Sequence, residues 1–95
     1  MSDIQKNAVE NVLEERRNQD EQWGVSDHDP QFWSLILSKH AGRLTSKALD
    51  WGAMVGYDSE EFYAIMEFRD QAVKVAAIAL AIVECIDRAE WTAPV

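Results

Sequence analysis

From about residue 59 to residue 90 the chain contains neither glycine nor proline, and within that stretch Val75-Ala-Ala-Ile-Ala-Leu-Ala-Ile-Val83 is apolar on every face of a helix. At 1.5 Å per residue an unbroken helix here would approach about 48 Å, long for so short a chain, and a bend is one way to keep it compact. A helix that is apolar all round must be covered on more than one side. Two further helices of the same chain can hardly do that. The expectation is a second copy, with Val75, Ala76, Ile78, Ala79, Leu80, Ile82 and Val83 forming the shared face and the alanines letting helices approach closely. The same run falls far short of the ~20 residues needed to cross a bilayer, so no membrane partner is expected.

Two helices precede it. Ser2 or Asp3 can cap the first, over about 3–23, with Ile4, Ala8, Val12 and Leu13 on one face. Gly24 is its natural stop, and Trp23 just before it is read as anchoring that end to the core. Residues 25–30, VSDHDP, are turn chemistry, with Asp29 as a cap and Pro30 at the first helical position. The second helix then runs over about 31–50, with Phe32, Trp33, Ile36, Leu37, Ala41, Leu44, Ala48 and Leu49 as its apolar stripe. A break is expected over Gly52 to Tyr57, and Asp58 with Glu61 has capping-box spacing for the third helix. Trp91-Thr-Ala-Pro-Val95 ends that helix at Pro94. No strand-like alternation competes, so residues 1–95 read as one all-α domain, a bundle of three main helices per chain.

Composition narrows the function. At 47% hydrophobic and 27% charged residues this is a globular chain. Alone it would bury only roughly 60–65% of its unfolded surface, a second reason to expect a homodimer or a dimer of dimers. Seventeen acids against nine Lys and Arg give a net charge of −8, which argues against nucleic-acid binding because phosphate contacts need cations. Cys85 is the only cysteine and lies in an apolar run, so it reads as a small buried residue in a reducing compartment. No basic-then-apolar leader follows Met1, and a cytoplasmic location is expected.

Against that acidity, residues 31–49 contain no acid at all and hold Lys39, His40, Arg43 and Lys47. Lys39, Arg43 and Lys47 stand four residues apart, one cationic stripe on a helix. Two readings stay open. The stripe, with His40 and Lys74, grips a phosphate or nucleotide directly, as the planar fork of arginine is suited to do. Alternatively these cations pair with Glu10 and Glu14 of the first helix, or with Glu67 and Asp70 of the third, at little net gain where exposed. His40 reads as a hydrogen-bonded packing residue rather than a base or ligand. His28, between Asp27 and Asp29, reads as part of a solvated turn, and Glu14-Glu-Arg-Arg17 as a solvated face. Trp33, Trp51 and Trp91 read as packing or interface residues.

ERRNQDEQWG at 15–24, FWSLILSKHAGRLTSKAL at 32–49 and FRDQAVKVAAIALAIVECIDR at 68–88 together resemble the MazG-like nucleotide pyrophosphohydrolases, in particular the short versions of phage and other mobile DNA. The resemblance spans roughly residues 12–88. It implies an all-α, oligomeric protein and a magnesium-dependent cleavage of nucleoside triphosphates to monophosphate and pyrophosphate. Such proteins carry Glu-Glu-x-x-Glu on one helix and Glu-x-x-Asp on a later one, carboxylates that together cage magnesium. Here the first cluster falls on Lys39, His40 and Arg43. The second falls on Gln71 and Lys74 when aligned through VAAIALA, or on the literal Glu67-Phe-Arg-Asp70 a few residues earlier. Residues 67, 70, 71 and 74 share one helical face.

The resemblance also places the Glu-Arg-x-x-Gln segment near the substrate, so that Arg16, Gln19 and Trp23 would line a nucleotide pocket, with Trp23 stacking on a base. With its acidic clusters replaced, the chain looks like a degenerate member of that family. Such a member would bind a nucleotide or phosphorylated small molecule through Lys39, His40, Arg43, Lys47, Gln71, Lys74, Arg16, Gln19 and Trp23, without a cofactor. Two rivals are an active enzyme, with Mg2+ on Glu67 and Asp70, and a protein-interaction module with an empty site.

Overall fold

The computed structural model describes residues 2–89 and contains, in chain order, α1 (Asp3–Trp23), α2 (Pro30–Met54) and α3 (Asp58–Arg88). Trp91 and the tail with Pro94 lie outside the described residues. α3 is the centre: α1 and α2 each pack against it and not against one another. The contacts of α2 run His40 to Gln71 and then Lys47 to Glu67, descending α3 as α2 ascends, so the two helices are antiparallel.

The helix ends follow the capping chemistry closely at the first two starts. Ser2 Oγ accepts the Gln5 N–H at 3.1 Å, and Asp29 Oδ1 accepts the Phe32 N–H at 2.8 Å with Pro30 next in the first turn. α1 stops at Gly24, whose φ of 75° a side chain would resist. The second break is shorter than expected. Gly52 lies inside α2, because one glycine in a helix interior costs only about 1 kcal/mol, which packing overrides. The chain leaves the helix at Gly56, with a φ of 91°. The Asp58–Glu61 capping box is not formed: Tyr57 occupies the cap, and the Glu61 carboxylate accepts the Gly56 N–H at 3.2 Å instead. Asp58, Glu60 and Glu61 still set negative charge against the positive end of the α3 dipole. α3 itself is one continuous helix of 31 residues.

The core is thin. Trp33, Ile78, Ala81 and Cys85 form it, with Ile36, Leu37 and Ile82 packed against them, and among the described residues no large side chain is completely buried. Cys85 is buried and its Sγ lies 3.7 Å from the His28 carbonyl oxygen. The apolar face expected on α1 is largely open, with Ile4 85% and Leu13 42% exposed. α1 has only α3 to lean on, and the residues it buries there are the polar Arg16 and Gln19. Within the run 75–83, Ile78 and Ile82 pack into the chain's own core, whereas Ala76, Ala79 and Val83 face out.

The accessible surface is 7173 Å², against about 5,500 Å² for a compact monomer of this mass. The radius of gyration is 16.2 Å, against about 12.4 Å for a compact domain of this length. Among the described residues no helix is long and apolar enough to cross a membrane.

Candidate ligand-binding cleft

Because α1 and α2 both rest on α3 without touching, a cleft opens between them, with Ile78 and Ala81 of α3 as its floor. Its volume is about 330 Å³. α1 contributes Arg16, Gln19 and Trp23 to its walls, and α2 contributes Trp33, Lys39 and His40. Seven residues, two turns of α2, separate Trp33 from His40 and put both rings on one face. Five of the residues singled out in the sequence thus line one cavity: Arg16, Gln19, Trp23, Lys39 and His40.

Arg16 is not part of a solvated face. It is 7% exposed, and its Nε and Nη2 donate to Glu84 Oε1 at 3.1 and 2.9 Å while Nη1 donates to Asp20. Asp20 is one turn along the same helix, but Glu84 is remote in sequence and carried no local signal. Gln19 is also buried, and its Nε2 lies 3.4 Å from the backbone oxygen of Lys74. Trp23 does not anchor α1 to the core: it shares the face of Arg16 and Gln19, but as the last residue of α1 it is left 60% exposed at the cleft wall.

His40 sits at the other end. Gln71, itself buried, donates from Nε2 to the His40 backbone oxygen at 3.0 Å, using the carbonyl's second lone pair. The ring is not the hydrogen-bonded packing residue expected, since Nδ1 is shut off from solvent and has no partner among the described residues. Burial holds the His40 pKa below the usual imidazole value, and the charges of Arg43, Lys39 and Lys74 push the same way; Glu15 pulls weakly against them. Lys39, Arg43 and Lys74 are exposed, and none of the three forms an ion pair with a carboxylate among the described residues.

Lys47, the last member of the stripe, differs. It pairs with Glu67 at 3.2 Å, an exposed contact worth at most about 1 kcal/mol. That engages Glu67, while Asp70 stands exposed, and among the described residues no three His, Cys, Asp or Glu side chains gather where a metal ion would sit. Glu67 and Asp70 thus offer two carboxylates one turn apart on α3, with no third beside them among the described residues. Arg43, Lys47, Gln71 and Lys74 do not line the cleft.

His28 is not in a solvated turn. It is half-buried, its ring 4.5 Å from Phe32 and 4.8 Å from Trp33, and it lines the cleft. The two aromatics shortly after it were the available signal. Trp33 is in the core as expected and separates the cleft from a second, more apolar cavity beside Cys85 and Ile86; its Nε1–H is buried with no acceptor among the described residues.

No protein-family model matches this chain, and neither a curated protein nor a solved structure matches it.

Proposed function

We propose that this chain is a MazG-like protein without working pyrophosphohydrolase chemistry, and that its cleft binds a nucleotide or another phosphorylated small molecule directly through cations. The observation that carries this reading is the charge at the His40 end of the cleft, where Lys39 lines the wall and Arg43 and Lys74, outside the lining, act on the same ring. In a chain of net charge −8, acids are abundant, yet these cations stand together without carboxylate partners. Like charges held close repel, and an anion between them relieves that cost. The remaining wall suits an organic ligand: Trp23 offers an exposed ring on which a planar group can stack, and Gln19 offers an amide. Where the resembled enzymes place metal-binding acids, this site would supply its positive charge from side chains.

A second copy belongs to the same proposal. The surface exceeds that of a compact monomer by about 1,600 Å², twice the ~800 Å² per partner of a standard interface. Ala76, Ala79 and Val83 form part of the open face.

The test is thermal unfolding of the purified chain with a nucleotide panel, each with and without magnesium, beside a pyrophosphate-release assay. Stabilisation that needs no magnesium and brings no turnover is the expected result; a ligand at 100 times its Kd adds about 2.7 kcal/mol. Magnesium-dependent pyrophosphate release would overturn the reading and make Glu67 and Asp70 the first residues to replace. If nothing is stabilised and nothing released, the cleft is no ligand site, and the fold serves as an interaction module.

A further inference from the structure

Resting on the anion site just proposed, we infer that binding there is proton-linked: a bound dianion draws a proton onto His40, so the site tightens as the pH falls below neutrality. The geometry supplies each part. His40 lines the cleft with Lys39, and Arg43 follows one turn along α2. On α3, neutral Gln71 holds the His40 carbonyl, and Lys74, three residues on, acts on the ring through its charge from outside the cleft lining. From α1 the charged groups are Glu15, whose field favours the imidazolium, and Arg16, which is paired with both Asp20 and Glu84; His28 lines the same cleft from the loop before α2.

Without a ligand the ring therefore lies in the field of three cations, and among the described residues its sealed Nδ1 has no acceptor for a second N–H. Both facts keep it uncharged. A dianion among Lys39, Arg43 and Lys74 reverses the sign of the local field, and an opposite charge within a few ångströms favours the protonated ring. By linkage, whatever raises the His40 pKa on binding must make binding tighter at lower pH. Each unit of that rise is a tenfold gain in affinity.

Sulfate is the probe, because it carries two charges throughout the range and takes up no proton itself. Its affinity is measured at pH 5.5, 6.5 and 7.5, and the His40 ring resonances are titrated by NMR with and without saturating sulfate. The expected results are affinity about tenfold higher at pH 5.5 than at 7.5 and a His40 midpoint moved upward by sulfate. His40→Gln, which cannot take the proton, should show no such slope. That control also separates His40 from Glu15 and the other carboxylates, whose partial protonation would survive the substitution. Binding that is flat with pH, a slope that persists in His40→Gln, or a His40 midpoint unmoved by sulfate would each overturn proton linkage and leave the anion site standing. If sulfate binds at no pH, the anion site falls, and this inference falls with it.

Discussion

Replacing Arg16 by methionine tests whether the buried guanidinium organises the wall between α1 and α3. Methionine keeps most of the aliphatic stem and so isolates the charge. What disappears is a fork that joins Asp20 on its own helix to Glu84 on α3. Hydrogen bonds to charged groups contribute about 1.5–3 kcal/mol each when well buried. Here the two carboxylate side chains remain 36% and 39% exposed and would reach water once released, which discounts the loss. Freed of Arg16, they would also repel one another at the contact of α1 with α3. The net expectation is about 2 kcal/mol of destabilisation, or roughly 8–16 °C in Tm for a domain of this size. Urea unfolding at one fixed chain concentration measures it, since self-association would otherwise shift the midpoint. The decisive readout is a cycle with Glu84→Gln, in which the two changes should couple by about 1 kcal/mol rather than add. Apolar replacement of Arg16, Asp20 and Glu84 together should recover much of the loss, because a buried ionic group is costly chiefly when left half-made. A loss below about 0.5 kcal/mol for Arg16→Met, or simple additivity in the cycle, would refute the picture of an ionic joint.

Four further outcomes are expected. Gly52→Ala should stabilise the chain by about 0.5–1 kcal/mol, since Gly52 is helical and an added Cβ meets nothing within 4 Å, whereas Gly56→Ala should cost about 1–2 kcal/mol for its φ of 91°; denaturant midpoints check both, and equal effects would discredit the assigned break. Arg43→Glu should weaken phosphate or sulfate binding by tenfold or more without changing the circular dichroism spectrum, and unaltered affinity would remove Arg43 from the site. If the proposed second copy covers the open apolar face, the wild-type chain should sediment as an oligomer and Val83→Glu as a monomer, since Val83 is 54% exposed there; a wild-type monomer, or an oligomer indifferent to the charge, would refute the interface. The depressed His40 pKa makes the unfolded chain take up a proton before the folded one does. Stability without ligand should therefore fall as the pH drops through about 6.5, the ordinary imidazole value, towards the folded-state value, and urea midpoints should show a shallower decline in His40→Gln.

The three helices were legible because their signals are local. Capping at Ser2 and Asp29, proline at position 30 and the glycine stop at 24 each act within one turn, so the residues that decide them lie side by side in the sequence. The readings that changed depended on partners remote along the chain. Arg16 resembled a solvated cation because its immediate neighbours are charged; only Glu84, on another helix, makes it a buried one. His28 resembled a turn residue until Phe32 and Trp33 folded onto it. Trp23 resembled a core anchor by residue type, yet at the last residue of α1 it stays exposed on the cleft wall although it shares the face of Arg16.

The cationic stripe shows how far spacing alone reaches. Period-four placement put Lys39, Arg43 and Lys47 on one face of α2, and it was silent about which of them would meet an acid. Lys47 meets Glu67 because antiparallel packing sets the C-terminal part of α2 against the first half of α3. Two turns back, the same packing sets the Gln71 amide on the His40 carbonyl, and the charge of Lys74 acts on the His40 ring from the same helix. The charge left around His40 is therefore a product of both helices, and neither sequence segment discloses it alone. This excess gives the cleft a reason to hold an anion. A single reversal on α3, Lys74→Glu, should accordingly act on the His40 end as Arg43→Glu does from α2. It should raise the His40 midpoint in the free protein while weakening sulfate binding. An unchanged midpoint would mean that Lys74 lies outside the field that shapes this site.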